Sequence, residues 1–186
     1  MTRLVLVRHG EATAGWGLDH DPGLSELGHA QAVEAVDVLS ARYGPDQRPA
    51  IRVSPLRRAR ETAAPLERAW ARRATIDPVI RELPSPTTDL GGRAAWIRGA
   101  LGGLWDDLHD EARTWRGVMV AAARALTRPE VWVTHYVVIN AIVGAERDTD
   151  EVTVFSPVNC SITEVDVHDG ELSVVSLGAS DATEVG

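Results

Sequence analysis

Residues 4–12 read LVLVRHGEA, an apolar run that ends abruptly on an arginine, a histidine and a glycine. The run from Arg3 to Val7 predicts a strand that is buried on both faces, as strands in parallel sheets are. In open α/β sheets, ligands bind beyond the carboxyl ends of the strands. Arg8 and His9 therefore stand where a strand would present polar side chains to a ligand.

Strand and helix patterns alternate along the chain. The further predicted strands are 50–54, 74–80 and 131–135, and the predicted helices are about 26–43, 56–72, 111–127 and 136–144. Near the end, Asp169-Gly170 is a turn pair typical of a type I′ hairpin between two runs of alternating polarity. This order predicts an α/β protein, a three-layer α/β/α sandwich with a mostly parallel central sheet and antiparallel hairpin strands at its edge.

The length of 186 residues allows one sizeable hydrophobic core but not two comfortable domains. We expect a single domain over residues 1–178, with a short cap-like segment at about 83–116 that begins with turn residues and continues into a tryptophan-bearing helix. The last residues, 179–186, are small and polar, which predicts a disordered tail.

Composition excludes several classes of function. The net charge of −8 argues against nucleic acid and anionic membranes as partners. No apolar run approaches the roughly 18 residues of a membrane span, and no leader pattern is present, so we expect a cytoplasmic protein. All 19 basic residues are arginine, which removes lysine-dependent chemistry. A single cysteine, Cys160, and the absence of zinc-ligand spacing predict neither a disulfide nor a metal site.

Polar residues follow four of the predicted strands. Arg8 and His9 end the first strand, the arginines of SPLRRARETA follow the second, Glu82 follows the third, and His135 ends a later one. The carboxyl ends of parallel strands meet at one edge of a sheet, so these groups are expected to converge. Arginine forks match phosphate oxygens, and neutral imidazole is a competent nucleophile toward phosphorus. The pattern predicts a site for phosphoryl transfer.

Five blocks, in this order, resemble the histidine phosphatase superfamily, which has the phosphoglycerate mutase-like fold. They are LVLVRHGEA, LSELGHAQA, SPLRRARETA, RELP and VWVTHYVVINAIVG. The resemblance covers about residues 3–165. It implies a phosphatase that hydrolyses a phosphomonoester through a phosphohistidine intermediate and needs no metal and no other cofactor.

The resemblance also implies a role for each matching residue. His9 is expected to be the nucleophile, and Arg8 and Arg58 to bind the phosphoryl oxygens. His135 is expected to bind the same group as part of the catalytic set, and Glu82 to protonate the leaving oxygen. Nearby arginine charge and loss of solvent should lower the pKa of His9 and keep its ring neutral near pH 7. We expect its second ring nitrogen to bind a backbone carbonyl in the loop after residue 10.

Further residues are predicted to border the substrate pocket because they lie in the loop after the first strand, in the cap-like segment or beside His135. These are Glu11, Trp16, His20, Trp96 and Tyr136. Glu11, close to the predicted nucleophile, is also the second candidate for the proton donor. Tyr136 replaces a glycine that is common in the family, which affects the choice of substrate.

Two alternative functions follow from the same residues. Many mutases and sugar phosphatases of this family carry Ser or Thr at the position of Ala12 and Asn at that of Gly15, and the chain between Glu82 and His135 is short. Both features favour water as the acceptor over a phosphoglycerate mutase-type transfer. A non-catalytic phosphate-binding regulatory protein is the other alternative, although such a protein has no use for a nucleophile. The expected substrate is a small phosphorylated metabolite or a phosphorylated side chain, and a homodimer is suggested by analogy alone.

Overall fold

The computed structural model describes residues 1–15 and 17–181 and builds one six-stranded sheet from them. Its strands are β1 (Thr2–Arg8), β2 (Ala50–Val53), β3 (Thr75–Ile76), β4 (Glu130–Thr134), β5 (Ile162–His168) and β6 (Glu171–Ser176). The α-helices are α1 (Glu26–Arg42), α2 (Arg57–Trp70), α3 (Leu90–Leu101), α4 (Asp110–Arg124) and α5 (Tyr136–Glu146). None of the helices in these ranges is long and apolar enough to cross a membrane.

The strand order is β3-β2-β4-β1-β5-β6. The first four strands in this order run parallel, and the β5–β6 hairpin joins the edge of β1 in antiparallel orientation. The predicted α/β fold with a mostly parallel sheet and an antiparallel hairpin is confirmed. Arg8 lies opposite Thr134, and Val53 lies opposite Val133. The carboxyl ends of β1, β2 and β4 therefore finish at the same level of the sheet.

Helices cover both faces of the sheet because the central strands are apolar on both sides. Along β1, Leu4 and Leu6 pack in one buried cluster with α4 and α5, whereas Val5 and Val7 pack in another with α1 and α2. This alternation follows from the two-residue period of a strand. The result is the predicted three-layer sandwich, with the strand ends left open between the layers.

Two segments differ from the sequence-based expectation. The strand predicted over 74–80 is only Thr75–Ile76. Pro78 has no backbone N–H with which to continue the strand pairing, and it begins a 3-10 turn instead. The tail predicted to be disordered from residue 179 is instead hydrogen bonded at its start: Val158 N–H donates to the Ala179 carbonyl and Asp181 N–H to that of Ser156. Residues 182–186 lie outside the described part of the chain.

Candidate active site

A cavity of about 270 Å³ opens beyond the carboxyl ends of the parallel strands. Five of the predicted site residues line it, namely Arg8, His9, Arg58, Glu82 and Tyr136. His135 lies directly behind them and has no exposed surface. All of the residues to which the sequence assigned phosphoryl chemistry are thus brought to one place.

His9 continues from β1, and its backbone N–H donates to the Thr134 carbonyl at the end of β4 (2.9 Å). Its Nδ1 lies 2.7 Å from the Gly10 carbonyl oxygen. A carbonyl only accepts, so Nδ1 carries the proton and Nε2 keeps its lone pair. The acceptor is therefore the carbonyl of Gly10 itself, one residue earlier than expected. Burial, followed by the positive charge of Arg58, lowers the pKa of His9 well below its usual value.

Arg58 lies at the centre of the site and is almost completely buried. Its Nε donates to His9 Nε2 (3.1 Å), and one terminal nitrogen lies 3.3 Å from Glu82 Oε2 and 3.2 Å from His135 Nδ1. The preceding Arg57 faces solvent and pairs with Glu61. Because α2 begins at Arg57 and successive helical residues differ by about 100° in direction, only the second arginine points at the strand ends.

His135 directly follows β4. Its Nε2 lies 2.7 Å from Ser54 Oγ, at the end of β2, and its ring centre lies 5.2 Å from that of His9. Burial lowers the pKa of His135 well below its usual value, and the charge of Arg58 lowers it further. Both imidazoles of the site are therefore neutral at physiological pH.

The lowered pKa values of His9 and His135 predict a loss of stability in acid. The unfolded chain takes up protons below about pH 6.5 that the folded chain excludes, so acid favours unfolding. Below this pH each histidine should lower the free energy of unfolding by up to about 1.4 kcal/mol per pH unit. Urea unfolding at pH 7.5 and 5.5 should show a smaller pH dependence for His135→Asn than for wild type. The exposed His168→Asn serves as the control, and equal pH dependence in all three proteins would contradict the assignment.

Glu82 reaches the site from the loop that follows the 3-10 turn at Pro78–Ile80. Thr134 Oγ1 donates to the Ile80 carbonyl (2.8 Å), which ties this turn to the end of β4. The Glu82 carboxylate is buried, and its Oε2 lies 3.6 Å from His135 Nδ1 in addition to its contact with Arg58. The carboxylate therefore borders the same cavity as His9 and lies beside the buried His135.

Arg8 and Tyr136 form one wall of the cavity. The Arg8 guanidinium donates to the Pro157 carbonyl (2.7 Å) and lies over the Tyr136 ring, 5.3 Å from its centre. Burial lowers the pKa of Arg8 from its usual value. Within the described residues, the buried Arg8 Nε has no hydrogen-bond partner. A donor in this position is suited to an anion that enters the cavity.

Three of the residues predicted to border the pocket lie elsewhere. Glu11 is exposed and accepts a hydrogen bond from the Ser25 hydroxyl at the start of α1, so it faces away from the cavity. Trp96 packs against the buried core and the ring of His109. His20 lines a neighbouring groove rather than this cavity. The fourth, Trp16, lies outside the described residues.

The structure also brings in residues that the sequence did not single out. Asn159, in the loop before β5, donates from Nδ2 to the His9 carbonyl (2.9 Å) and lines the cavity. Arg93, on α3, and the exposed Asp19 line it as well. Asn159 is 150 residues from His9 in the chain. No local pattern in the sequence indicates such a contact.

A close backbone contact explains the glycines in the first two sequence blocks. A Cβ on Gly10 would lie 2.5 Å from the carbonyl oxygen of Gly28, and one on Gly28 would lie 2.1 Å from that of Glu11. The first turn of α1 therefore packs directly on the backbone that follows His9. Thr62 closes the other side, since it accepts from Gly10 N–H and donates to the Arg58 carbonyl.

His9, Glu82 and His135 also place three potential metal-ligand atoms within 4.8 Å of one another. The Arg58 guanidinium, however, contacts all three groups and fills the space between them. A cation at this point would meet a buried positive charge, whereas an anion would meet several N–H donors. The donor set therefore fits an oxyanion better than a metal ion.

Comparison with known proteins finds the same architecture. The family model described as "Histidine phosphatase superfamily (branch 1)" matches residues 4–89. A solved structure called mycobacterial hydrolase 1 is 26% identical with a TM-score of 0.70, over 97% of this chain and 99% of the other. Mycobacterial glucosyl-3-phosphoglycerate phosphatase is 24% identical with a TM-score of 0.71, over 97% and 100%. Phosphoserine phosphatase from Entamoeba histolytica is 20% identical with a TM-score of 0.72, over 97% and 98%. No curated protein sequence matches.

Proposed function

Since this chain belongs to the histidine phosphatase superfamily, we propose that it hydrolyses a phosphomonoester through a phosphohistidine formed on His9. One observation carries this proposal: a neutral, buried imidazole holds its Nε2 lone pair toward a cavity in which Arg8 and Arg58 offer N–H donors. A nucleophile and an oxyanion site thus share one space.

In the free site, Arg58 Nε donates to His9 Nε2 and so occupies the lone pair that must attack. Substrate binding releases it, because phosphoryl oxygens are stronger acceptors for a guanidinium than a neutral imidazole is. The charged phosphate group therefore activates the nucleophile by drawing Arg58 to itself. This coupling favours attack only when a phosphoryl group is present.

In the first step, His9 Nε2 forms a bond to phosphorus while the bond from phosphorus to the ester oxygen breaks. Arg8, Arg58 and His135 bind the three equatorial oxygens, where the negative charge of the transition state lies. Glu82, in its protonated form, gives its proton to the departing oxygen, so the alcohol leaves neutral. The products of this step are phosphohistidine and ionised Glu82.

In the second step, water attacks the phosphohistidine. Glu82 now accepts a proton from the water, the bond between phosphorus and His9 Nε2 breaks, and inorganic phosphate leaves. The imidazole returns to its neutral form with the proton still on Nδ1, held by the Gly10 carbonyl. Each turnover consumes one water and restores both groups.

The size of the cavity supports a small phosphorylated metabolite as substrate. A volume of about 270 Å³ accommodates a phosphoryl group with a short leaving group and is below the usual range for drug-sized ligands. Two of the similar structures are named for small substrates, glucosyl-3-phosphoglycerate and phosphoserine.

The proposed function is tested by trapping the intermediate. The protein is mixed with an aryl phosphate in the presence of a chelator and quenched in alkali, and the peptide containing His9 is examined by mass spectrometry. We expect turnover together with an alkali-stable, acid-labile phosphate on His9. A folded protein that binds phosphate but shows neither turnover nor adduct would instead be a regulatory binding protein. Transfer that requires a bisphosphate primer would identify a mutase.

Glu82→Gln should slow the enzyme according to the leaving group. The amide cannot donate the required proton, so we expect kcat for alkyl phosphates to fall by roughly 10²–10⁴-fold. Aryl phosphates, whose phenolate leaves without help, should be affected least. Steady-state kinetics on both substrate types measures the difference. Glu11→Gln is the matched control, since this carboxylate is exposed and bound to Ser25. If Glu82→Gln left every substrate unaffected and Glu11→Gln slowed the alkyl phosphates, the proton donor would be Glu11.

A further inference from the structure

Arg93 lies on α3 and is half-buried, and its side chain lines two adjoining spaces. One is the active-site cavity, and the other is a groove of about 320 Å³ beside the loop from Arg81 to Thr88. Glu82 also lines both spaces. Arg93 and Glu82, the proposed proton donor, therefore both lie where the cavity and the groove meet.

Within the described residues, no carboxylate lies within ion-pair distance of Arg93, and its guanidinium makes no hydrogen bond. The other two arginines of the cavity are engaged: Arg58 contacts Glu82, and Arg8 binds the Pro157 carbonyl. The charge of Arg93 nevertheless reaches the site, because it contributes to the lowered pKa of His135. A half-buried guanidinium without a protein partner at a ligand cavity is suited to bind an anion of the ligand.

An anion at Arg93 would be distinct from the transferred phosphoryl group. Arg8 and Arg58 already supply two positive charges for a phosphate dianion: Arg8 directly precedes His9, and Arg58 donates to His9 Nε2 from the centre of the site. A proton donor must touch the ester oxygen, so the leaving group lies on the Glu82 side. Arg93 shares that side. Asp19, the exposed carboxylate of the cavity wall, would repel a second anion. Such an anion would therefore bind at Arg93 rather than beside Asp19.

We propose that Arg93 selects phosphomonoesters whose leaving group carries a second anion, a carboxylate or a phosphate, close to the ester oxygen. This inference rests on the proposed phosphatase function and adds the class of substrate to it. Arg93 binds the anion through its paired N–H groups and holds the ester oxygen against Glu82. Neutral monoesters lack this contact and react more slowly.

The test compares three substrates of similar length: glycerol 1-phosphate, 3-phosphoglycerate and propane-1,3-diol bisphosphate. Each is assayed with wild type, Arg93→Ala, Arg93→Gln and Arg98→Ala. Arg98 is the matched control, since it is an exposed arginine on the same helix and does not line the cavity. Thermal unfolding of all variants verifies the fold, and the isosteric glutamine variant covers the case in which alanine disturbs α3.

We expect wild type to prefer at least one of the two anionic substrates over glycerol 1-phosphate by about tenfold or more in kcat/KM. Arg93→Ala and Arg93→Gln should remove this preference, with roughly a 10–100-fold loss on the preferred substrate and less than about a threefold loss on glycerol 1-phosphate. Arg98→Ala should leave the preference unchanged. Loss on the carboxylate or on the bisphosphate identifies which anion is recognised.

Two results would overturn the assignment of Arg93. The first is a wild-type protein that hydrolyses all three substrates equally, and the second is a loss in the Arg93 variants that is the same for charged and neutral leaving groups. Failure of the phosphatase function itself looks different: aryl phosphates are not hydrolysed and no phosphate appears on His9. In that case both proposals are wrong.

Discussion

His9→Ala should lower kcat for an aryl phosphate by roughly four to six orders of magnitude, the usual effect of removing a covalent nucleophile. The variant should remain folded, because the fold depends on the apolar residues of β1 rather than on this side chain. The measurement is hydrolysis of the aryl phosphate together with circular dichroism and thermal unfolding. Inorganic phosphate should still bind, since Arg8 and Arg58 remain.

His168→Ala is the control for this experiment. His168 is exposed at the end of β5, far from the strand ends that form the site, so its activity should equal that of wild type. If His9→Ala retained hydrolysis within tenfold of wild type, the covalent mechanism would be wrong. Direct attack of water on the bound ester would then have to be considered.

Arg58→Ala should produce the second largest effect. We expect kcat/KM to fall by roughly 10³–10⁵-fold, because an arginine that meets the charge of a transferring phosphoryl group contributes on this scale. Removal of the guanidinium also leaves the Glu82 carboxylate buried without its cationic partner. The same change therefore removes a phosphate-binding group and the partner that holds the Glu82 carboxylate in place.

Two further variants separate the geometry of Arg58 from its charge. Arg58→Lys keeps a positive charge but loses the planar fork that reaches His9, Glu82 and His135 together, so it should restore only a minor part of the activity. Arg57→Ala removes the neighbouring arginine, which is exposed and paired with Glu61, and should leave kcat/KM within about threefold. If Arg57→Ala and Arg58→Ala lowered kcat/KM equally, the assignment of Arg58 as the phosphate-binding arginine would be wrong.

The choice between these adjacent arginines shows what local pattern can predict. The block SPLRRARETA matches the family with Arg58 before Ala59, and this register selected Arg58 from the resemblance alone. The structure supplies the physical reason. α2 begins directly at Arg57, and one residue of helix turns the next side chain from solvent into the site.

For Glu82 and Glu11, by contrast, local pattern did not select between the two candidates. Both carboxylates follow a predicted strand closely, and the sequence left both as candidates for the proton donor. The path of the chain after each strand separates them. The turn at Pro78–Ile80 is held by Thr134 and carries Glu82 inward, whereas Ser25 and Gln31 hold the Glu11 segment at the surface of α1.

The sequence by itself determined the layered α/β architecture, the edge of the sheet that carries the site, and the placement of Arg8, His9 and His135 at that edge. These follow from short-range periodicity and from the rule that parallel strands end together. Only the tertiary structure decided which side chains meet across the cavity. Ser54 lies 81 residues from its partner His135, Asn159 lies 150 residues from His9, and Arg93 arrives on a helix outside the sequence blocks. Such contacts depend on how loops and helices pack over the whole chain, and short-range periodicity does not encode that packing.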